Sequence, residues 1–413
     1  MAELTSDKPT DDETSGKMRP GSLDILVRKP VKSADSYAIG LEISGPKDSS
    51  TETIGFRRAN FEVRHADVWD TLLPLMYITR NGGPLFKRRF SHANVRFEFE
   101  ASRPVVEFYT RRARLMGLSI DVLSPSSEIG LNAQSSGDVL LFGGGKDSRT
   151  MLGMVRETGT DPVVVSAKGR VYATDIPDAK VYQPLNFAMP VRIVPSLMML
   201  PKNIYHGAGL GEVHVSHPWH QYTDITAPDV LDDFSAMLAG IGVETKFHVP
   251  LVVLPYNVIQ RILVTRYPEL YKGQISVKKN EKTDKTLHIA MCLMYHGFDA
   301  SSVADPEVIQ ALGEDFRKRI LQDESKAFGY RGNYEVIARE IVCLMNRLTS
   351  RGKLAFEGLE KYEAPWVDHI HTYTNPGIDQ KFLDIFKGYA SEIERSDASL
   401  PQCLRDCGTA LSA

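Results

Sequence analysis

Val139-Leu140-Leu141-Phe142-Gly143-Gly144-Gly145-Lys146-Asp147-Ser148 is the stretch on which the reading of this chain turns. Four apolar residues in a row predict a buried strand. Three consecutive glycines predict a turn whose backbone can come close to a ligand. Thr150-Met151-Leu152-Gly153-Met154-Val155-Arg156 then predicts a helix. A strand, a glycine turn and a helix start in this order suit an anion, because N–H groups at a helix N-terminus point outward unpaired. Lys146 adds a positive charge, and Ser148 adds a hydroxyl near the cap. Two common phosphate loops do not fit. In G-x-x-x-x-G-K-[ST] a Ser or Thr follows the lysine directly, whereas Asp147 follows Lys146 here. In G-x-G-x-x-G a third glycine is needed where Ser148 stands. The plain alternative is a glycine turn before an ordinary surface helix.

The organisation of the chain is read outward from this loop. Residues 137–300 alternate strand and helix patterns, with strands expected at Asp138–Phe142, Pro162–Ser166, Pro190–Val194, Gly211–Ser216 and His248–Leu254. That order predicts an α/β unit, a parallel sheet with helices on both faces and ligands beyond the carboxyl ends of its strands. Residues 22–136 predict a separate α+β unit. Leu23–Val27, Tyr37–Ile43, Ala59–Val63 and Val95–Phe99 alternate with period two, as in a half-buried antiparallel sheet, and helices are expected at Val68–Tyr77 and Pro104–Leu118. Ser124–Gly137 reads as a linker. Residues 301–413 predict a helical region, with helices at Pro306–Leu321, Tyr334–Thr349 and Gln380–Ile393, ending in a polar tail. Residues 1–21 read as a disordered leader without the apolar core of a secretory signal.

Composition narrows the classes. The 413 residues are 42% hydrophobic and 24% charged, the profile of a globular protein of two or three domains. A net charge of −3 gives no global pull toward nucleic acid. Lys278, Lys279, Lys282 and Lys285 form either a local basic patch or a solvated loop face. No apolar stretch is long enough to span a membrane. Four cysteines make no disulfide framework; Cys292 and Cys343 read as buried thiols, and Cys403-x-x-x-Cys407 lies in the tail. The expectation is a cytoplasmic protein.

The segment Gly143-Gly144-Gly145-Lys146-Asp147-Ser148 resembles the PP-loop, S-G-G-x-D-S, of the ATP pyrophosphatase superfamily, with Gly143 in place of the usual first Ser. The resemblance covers residues 137–298 and is specific at the loop. His220-Gln221-Tyr222, the run Pro250–Ile259 and Lys285-Thr286-Leu287-His288 narrow it to one branch. That branch holds the 7-cyano-7-deazaguanine synthases and the bacterial epimerase of UDP-N-acetylmuramoyl-L-alanyl-L-glutamate. It implies a PP-loop (HUP-like) core, bound ATP and Mg²⁺, and cleavage between the α- and β-phosphates with pyrophosphate released. By the same resemblance Lys146, Asp147 and Ser148 are the catalytic candidates. Gly143, Gly144, Gly145, Lys146, Ser148 and Arg149 would cradle phosphate, and Asp147 would hold Mg²⁺ through pyrophosphate. Ser166 and Ala167, at the end of the second strand, would meet adenine and ribose. Arg149 reads equally as an exposed helix arginine, and Ser166-Ala167 as an ordinary strand end.

Glu212, His220, Gln221, Tyr222 and Lys285 are candidate substrate contacts. The spacing of His214, His217 and His220 fits neither a helical nor a strand zinc pair. Relatives in the branch carry four thiolates for structural zinc where Val277, Asn280, Thr283 and Thr286 stand, so no structural zinc is expected and the lid must be held otherwise.

Three functions follow as expectations. The first is an adenylating enzyme that activates a carboxylate, favouring an amino-acid or peptidoglycan-precursor carboxylate, with epimerisation or attack by a nitrogen or sulfur nucleophile afterwards. The second is deazaguanine-synthase-like amidation of a heteroaromatic acid. The third is a non-catalytic ATP- or AMP-binding regulatory protein. A small-molecule or precursor carboxylate substrate, no nucleic-acid or membrane partner, and a homodimer complete the expected profile.

Overall fold

The computed structural model describes residues 21–46, 48–62, 64–79, 83–115, 117–131, 135–167, 176, 178–185, 193–210, 228–272, 278–323, 333–362, 365–372, 375, 377–390 and 393–394. Its spine is an 11-stranded, mostly parallel sheet in a mixed α/β fold. The strands near the glycine loop are β9 (Asp138–Leu141), β10 (Val163–Ala167), β11 (Lys180–Pro184), β12 (Asn203–His206) and β13 (Lys246–His248). Their spatial order is β13-β12-β9-β10-β11, and every neighbouring pair is parallel. The chain builds outward from β9 to one side, then returns to build on the other side. The switch point of this doubly wound order therefore lies between β9 and β12, where α/β sheets open a ligand crevice.

The run at 139–142 is uninterrupted because both faces of β9 are covered. Val139 and Leu141 join one core with Val165, Ala167, Ile204 and Phe234. Leu140 and Phe142 join the opposite core with Met151, Val155, Val164 and Tyr205. Helix α4 (Lys146–Glu157) follows the loop on this second face, beside α7 (Tyr256–Arg266) and α12 (Gln380–Lys387). The first face is covered by α1 (Asp67–Thr79), α3 (Arg103–Leu115), α5 (Ile193–Leu197) and α6 (Pro228–Gly240).

The sheet continues into the N-terminal unit. β11 pairs antiparallel with β4 (Ser49–Arg57), and beyond it lie β3 (Ser36–Ser44), β1 (Leu23–Val27), β5 (His92–Phe97) and β7 (Ser119–Val122), with β2 (Val31–Ser33) on β3. The first core runs under the whole sheet, so the linker region 124–137 changes composition without interrupting the packing. Within that region β8 (Ser126–Ser127) pairs with β6 (Ala101–Ser102). α2 (Pro84–Arg88) completes the unit. Farther along, α8 (Pro268–Lys272) follows α7, and α9 (Asp284–Tyr295), α10 (Pro306–Gln322) and α11 (Asn333–Ser350) enclose a third core. β14 (Ile370–His371) and β15 (Ile393–Glu394) form a small parallel pair.

Several expectations are corrected. The N-terminal sheet is antiparallel only among β1–β4, because β5 runs parallel to β1 and β7 parallel to β5, with α3 as the crossover from β5 to β7. Ala59–Phe61 is a loop rather than a strand: Asn60 both donates to Val181 O and accepts from Val181 N, so its polar groups tie it to the side of β11. Ile193 and Val194 open α5 instead of closing a strand. The run His248–Leu254 is a strand only at its first residue. Pro250–Val253 forms a buried 3-10 turn, since a short, wholly buried apolar run gives no period by which to tell the two apart. α12 stops at Lys387, well before Ile393. The strand expected at Gly211–Ser216 lies outside the described residues.

Candidate functional site

The glycine loop lies at the carboxyl end of β9 and opens directly into α4. Gly144 has φ +79°, a left-handed conformation that favours glycine. Gly145 is extended at the helix cap, gives no side-chain cap, and has open space where a Cβ would lie. The first helical bond runs from Arg149 N to Gly145 O. Among the described residues, the backbone N–H groups of Gly144, Gly145, Lys146, Asp147 and Ser148 have no hydrogen-bond acceptor. They form the positive end of the α4 dipole. The Ser148 hydroxyl does not cap them; it donates to Gly145 O at 3.1 Å.

Lys146 and Asp147 face one another. Lys146 Nζ lies 2.8 Å from Asp147 Oδ1, with side chains 15% and 21% exposed. The same ammonium sits 4.0 Å from the centroid of the Tyr256 ring, a close cation–π contact. The loop after β12 closes in from the other side of the switch point. A Cβ on Gly207 would lie 2.6 Å from Asp147 O, and one on Gly209 would lie 2.7 Å from the Tyr256 ring. Glycines at 207 and 209 therefore let this second loop touch both the helix start and the ring beneath Lys146.

Arg149 is not the exposed helix arginine of its plainer sequence reading. It is 1% exposed, donates from Nε to Gly144 O at 2.8 Å and from Nη1 to Leu270 O at 3.1 Å, and its guanidinium lies 5.5 Å from the Phe142 ring. It braces the glycine turn from inside the protein, where it holds the loop's shape. Ser166 shares the α4 side of β10 with Val164, because Val163, Val165 and Ala167 face the opposite core. Its hydroxyl is fully buried with no hydrogen-bond partner among the described residues. A buried hydroxyl left unpaired is uncommon, and this one lies beside the strand end that feeds the crevice. Ala167 turns to the other core.

Thus Gly143 to Ser148 and Ser166 come together on one edge of the sheet. Lys285 stands exposed in the first turn of α9, a helix packed chiefly on α11, α10 and α7. Glu212, His220, Gln221 and Tyr222, with His214 and His217, lie outside the described residues. Thr283 and Asn280, two of the positions where the resemblance placed thiolates, have structural work of their own. Thr283 Oγ1 caps α9 by accepting from Thr286 N at 3.2 Å, and Asn280 exchanges hydrogen bonds with Asp305 at 2.7 and 2.8 Å. Among the described residues no group of three or more His, Cys, Asp or Glu is placed to hold a metal ion.

Sequence reading missed Gly207, Tyr256, Asn257 and Glu340. Glu340 is fully buried and accepts hydrogen bonds from Tyr256 N and Asn257 N. A signal for it exists: a charged residue on the apolar stripe of α11, between Ile337 and Ile341, is expected to be paired. His288 Nε2 is 2.8 Å from Glu340 Oε2 and 3.6 Å from Cys292 Sγ. This is no nucleophilic triad, because one ring nitrogen faces both partners and burial pushes the Cys292 thiol well up. Behind it, His296 Nε2 meets Asn257 Oδ1 at 2.8 Å, and Asn257 Nδ2 donates to Asp368 Oδ1 at 3.1 Å. Burial lowers the His296 imidazole to about 4. Among the described residues no helix is long and apolar enough to cross a membrane. Compared with models of known protein families, with curated proteins and with solved structures, the chain matches none of them.

Proposed function

We propose that this chain is an ATP-dependent adenylating enzyme that uses the loop 143–148 to grip the β- and γ-phosphates of ATP. The observation that carries this reading is the run of unspent backbone N–H groups from Gly144 to Ser148, set at the N-terminus of α4 beside the Lys146 ammonium. A carboxylate oxygen of the substrate attacks the α-phosphorus, the bridge to the β-phosphate breaks, and its electron pair leaves with pyrophosphate. The negative charge that grows on the leaving group falls among donors already fixed in place, which is where such donors lower a barrier most. Magnesium, when bound, supplies further charge across the phosphate oxygens. Asp147 fits that role once its carboxylate is released from Lys146. Ser166, with its unpaired buried hydroxyl, fits a polar contact to the nucleoside.

The loop's resemblance favours an amino-acid or peptidoglycan-precursor carboxylate as acceptor. The resulting acyl-adenylate has an activated carbonyl, open to attack by a nitrogen or sulfur nucleophile, and a more acidic α-proton, open to epimerisation. ATP–pyrophosphate exchange with pools of carboxylates tests the proposal. Exchange is expected with at least one pool, and Lys146→Ala is expected to lower it about 10²- to 10³-fold. Absence of ATP binding would remove the proposal altogether.

One observation favours a second reading, a non-catalytic ATP- or AMP-binding protein. Lys146 is already matched by Asp147, so its charge is partly spent before any ligand arrives. Tight ATP binding with no exchange in any pool would select this reading.

A further inference from the structure

The Lys146 ammonium rests on an aromatic ring, and that ring is fixed from a distance. Tyr256 is the first residue of α7, and the cap of α7 is Pro255, which offers no side-chain acceptor. The first two N–H groups of the helix are taken instead by Glu340 of α11. Tyr256 N donates to Oε1 at 2.9 Å and Asn257 N donates to Oε2 at 3.0 Å. A carboxylate with 0% exposure is costly unless its lone pairs are filled. Here a third contact, His288 Nε2 at 2.8 Å from Oε2, completes the set. Gly209 presses on the ring of Tyr256 from the sheet side. The ring is thus held at its backbone by Glu340 and at its edge by the loop after β12.

We propose that Glu340 is a positioning residue for Lys146. By clamping the first turn of α7, it sets the ring face on which the ammonium rests, and so sets how the charge is shared between Asp147 and an anion in the loop. His288 acts one step behind, holding the Glu340 carboxylate in the orientation that serves both N–H groups. The helical region and the glycine loop are thereby joined through one buried carboxylate. The geometric claim stands on the contacts alone; its consequence for ligands rests on the anion-binding reading of the loop.

The test uses the full chain and two readouts. The first is the rate of labelling of Lys146 by an amine-specific reagent, measured by peptide mass spectrometry against exposed Lys318 in the same molecule. Glu340→Gln and Tyr256→Leu are expected to raise the Lys146 rate at least threefold, and Tyr256→Phe, which keeps the ring, is expected to leave it unchanged. The second is calorimetric titration with pyrophosphate, in which the same two variants are expected to bind at least threefold more weakly. If wild type binds no pyrophosphate, the loop reading fails, and labelling alone still decides the positioning role. If Glu340→Gln lowers the melting temperature but leaves Lys146 labelling unchanged, Glu340 is merely structural and the proposal is overturned. Should Glu340→Gln not fold, His288→Leu removes only one of the three contacts, and an unchanged Lys146 rate in it overturns the proposal equally.

Discussion

Residues 144 and 145 are both glycine for different reasons, and substitution separates those reasons. At Gly144 φ is +79°, so a side chain there is strained whatever space surrounds it. Gly144→Ala is expected to destabilise the protein by about 1–2 kcal/mol, the usual cost of a left-handed conformation for an L-residue, read by urea unfolding. At Gly145 the backbone is extended and a Cβ would meet nothing within 4 Å. Gly145→Ala is therefore expected to hold or raise stability by up to ~1 kcal/mol. If the space beside Gly145 is where a phosphate sits, the same change weakens ATP binding about tenfold or more, or ~1.4 kcal/mol. Unchanged affinity in Gly145→Ala would count against phosphate binding at that position. The loop was legible in the sequence because its residue types point to one local geometry. Arg149 was not: whether a helix arginine faces water or braces a turn is decided by Gly144 O, Leu270 O and the Phe142 ring, and all three lie outside its own helix.

Helices α4 and α7 behave as a pair. Tyr256 meets Lys146 at their starts, Thr150 Oγ1 lies 3.5 Å from Ile259 O midway, and Tyr267 Oη donates to Glu157 Oε2 at 2.7 Å near their ends. Arg266 pairs with the same carboxylate and holds it below the usual glutamate range. The close approach depends on Gly153, where a Cβ would lie 2.4 to 2.7 Å from three atoms of the Tyr267 ring. Gly153→Ala is expected to cost about 1–3 kcal/mol through overpacking, read by thermal melting, despite the better helix propensity of alanine. A variant as stable as wild type would show that the two helices can move apart freely. Elements of this kind were legible where the apolar period was regular, as in α10 and α11. β4 was not, because Ser49–Thr53 is polar and only Ile54–Phe56 is consistently buried. β11 and β12 are short, and their pairing partners, rather than their own composition, make them strands.

At the scale of the molecule, two histidines among the described residues are kept neutral by burial, one in the sheet strand β13 and one in the helical layer. Burial, helped by Lys246 and Lys381, lowers His248 to about 4, and burial, helped by Arg261, lowers His296 to about 4. In the unfolded chain each titrates near 6.5. The unfolded state therefore binds more protons between these values, and the stability conferred by neutral imidazoles is full above pH 6.5 and lost as pH falls toward 4. The urea midpoint is expected to drop over that interval, with a smaller drop in His248→Gln; an equal drop would assign the acid lability elsewhere. At this scale the sequence said least. It announced a parallel core and an N-terminal α+β unit, but nothing local says that β11 and β4, so far apart in the chain, lie edge to edge. They share only two residue pairs, Gln183 with Arg57 and Pro184 with Phe56. Each strand is nonetheless the other's shield, since an open strand edge is a template for joining another chain. A fragment without residues 21–131 would carry the bare rim of β11 into solution, and self-association, rather than simple loss of stability, would be the penalty for dividing this protein at its apparent linker.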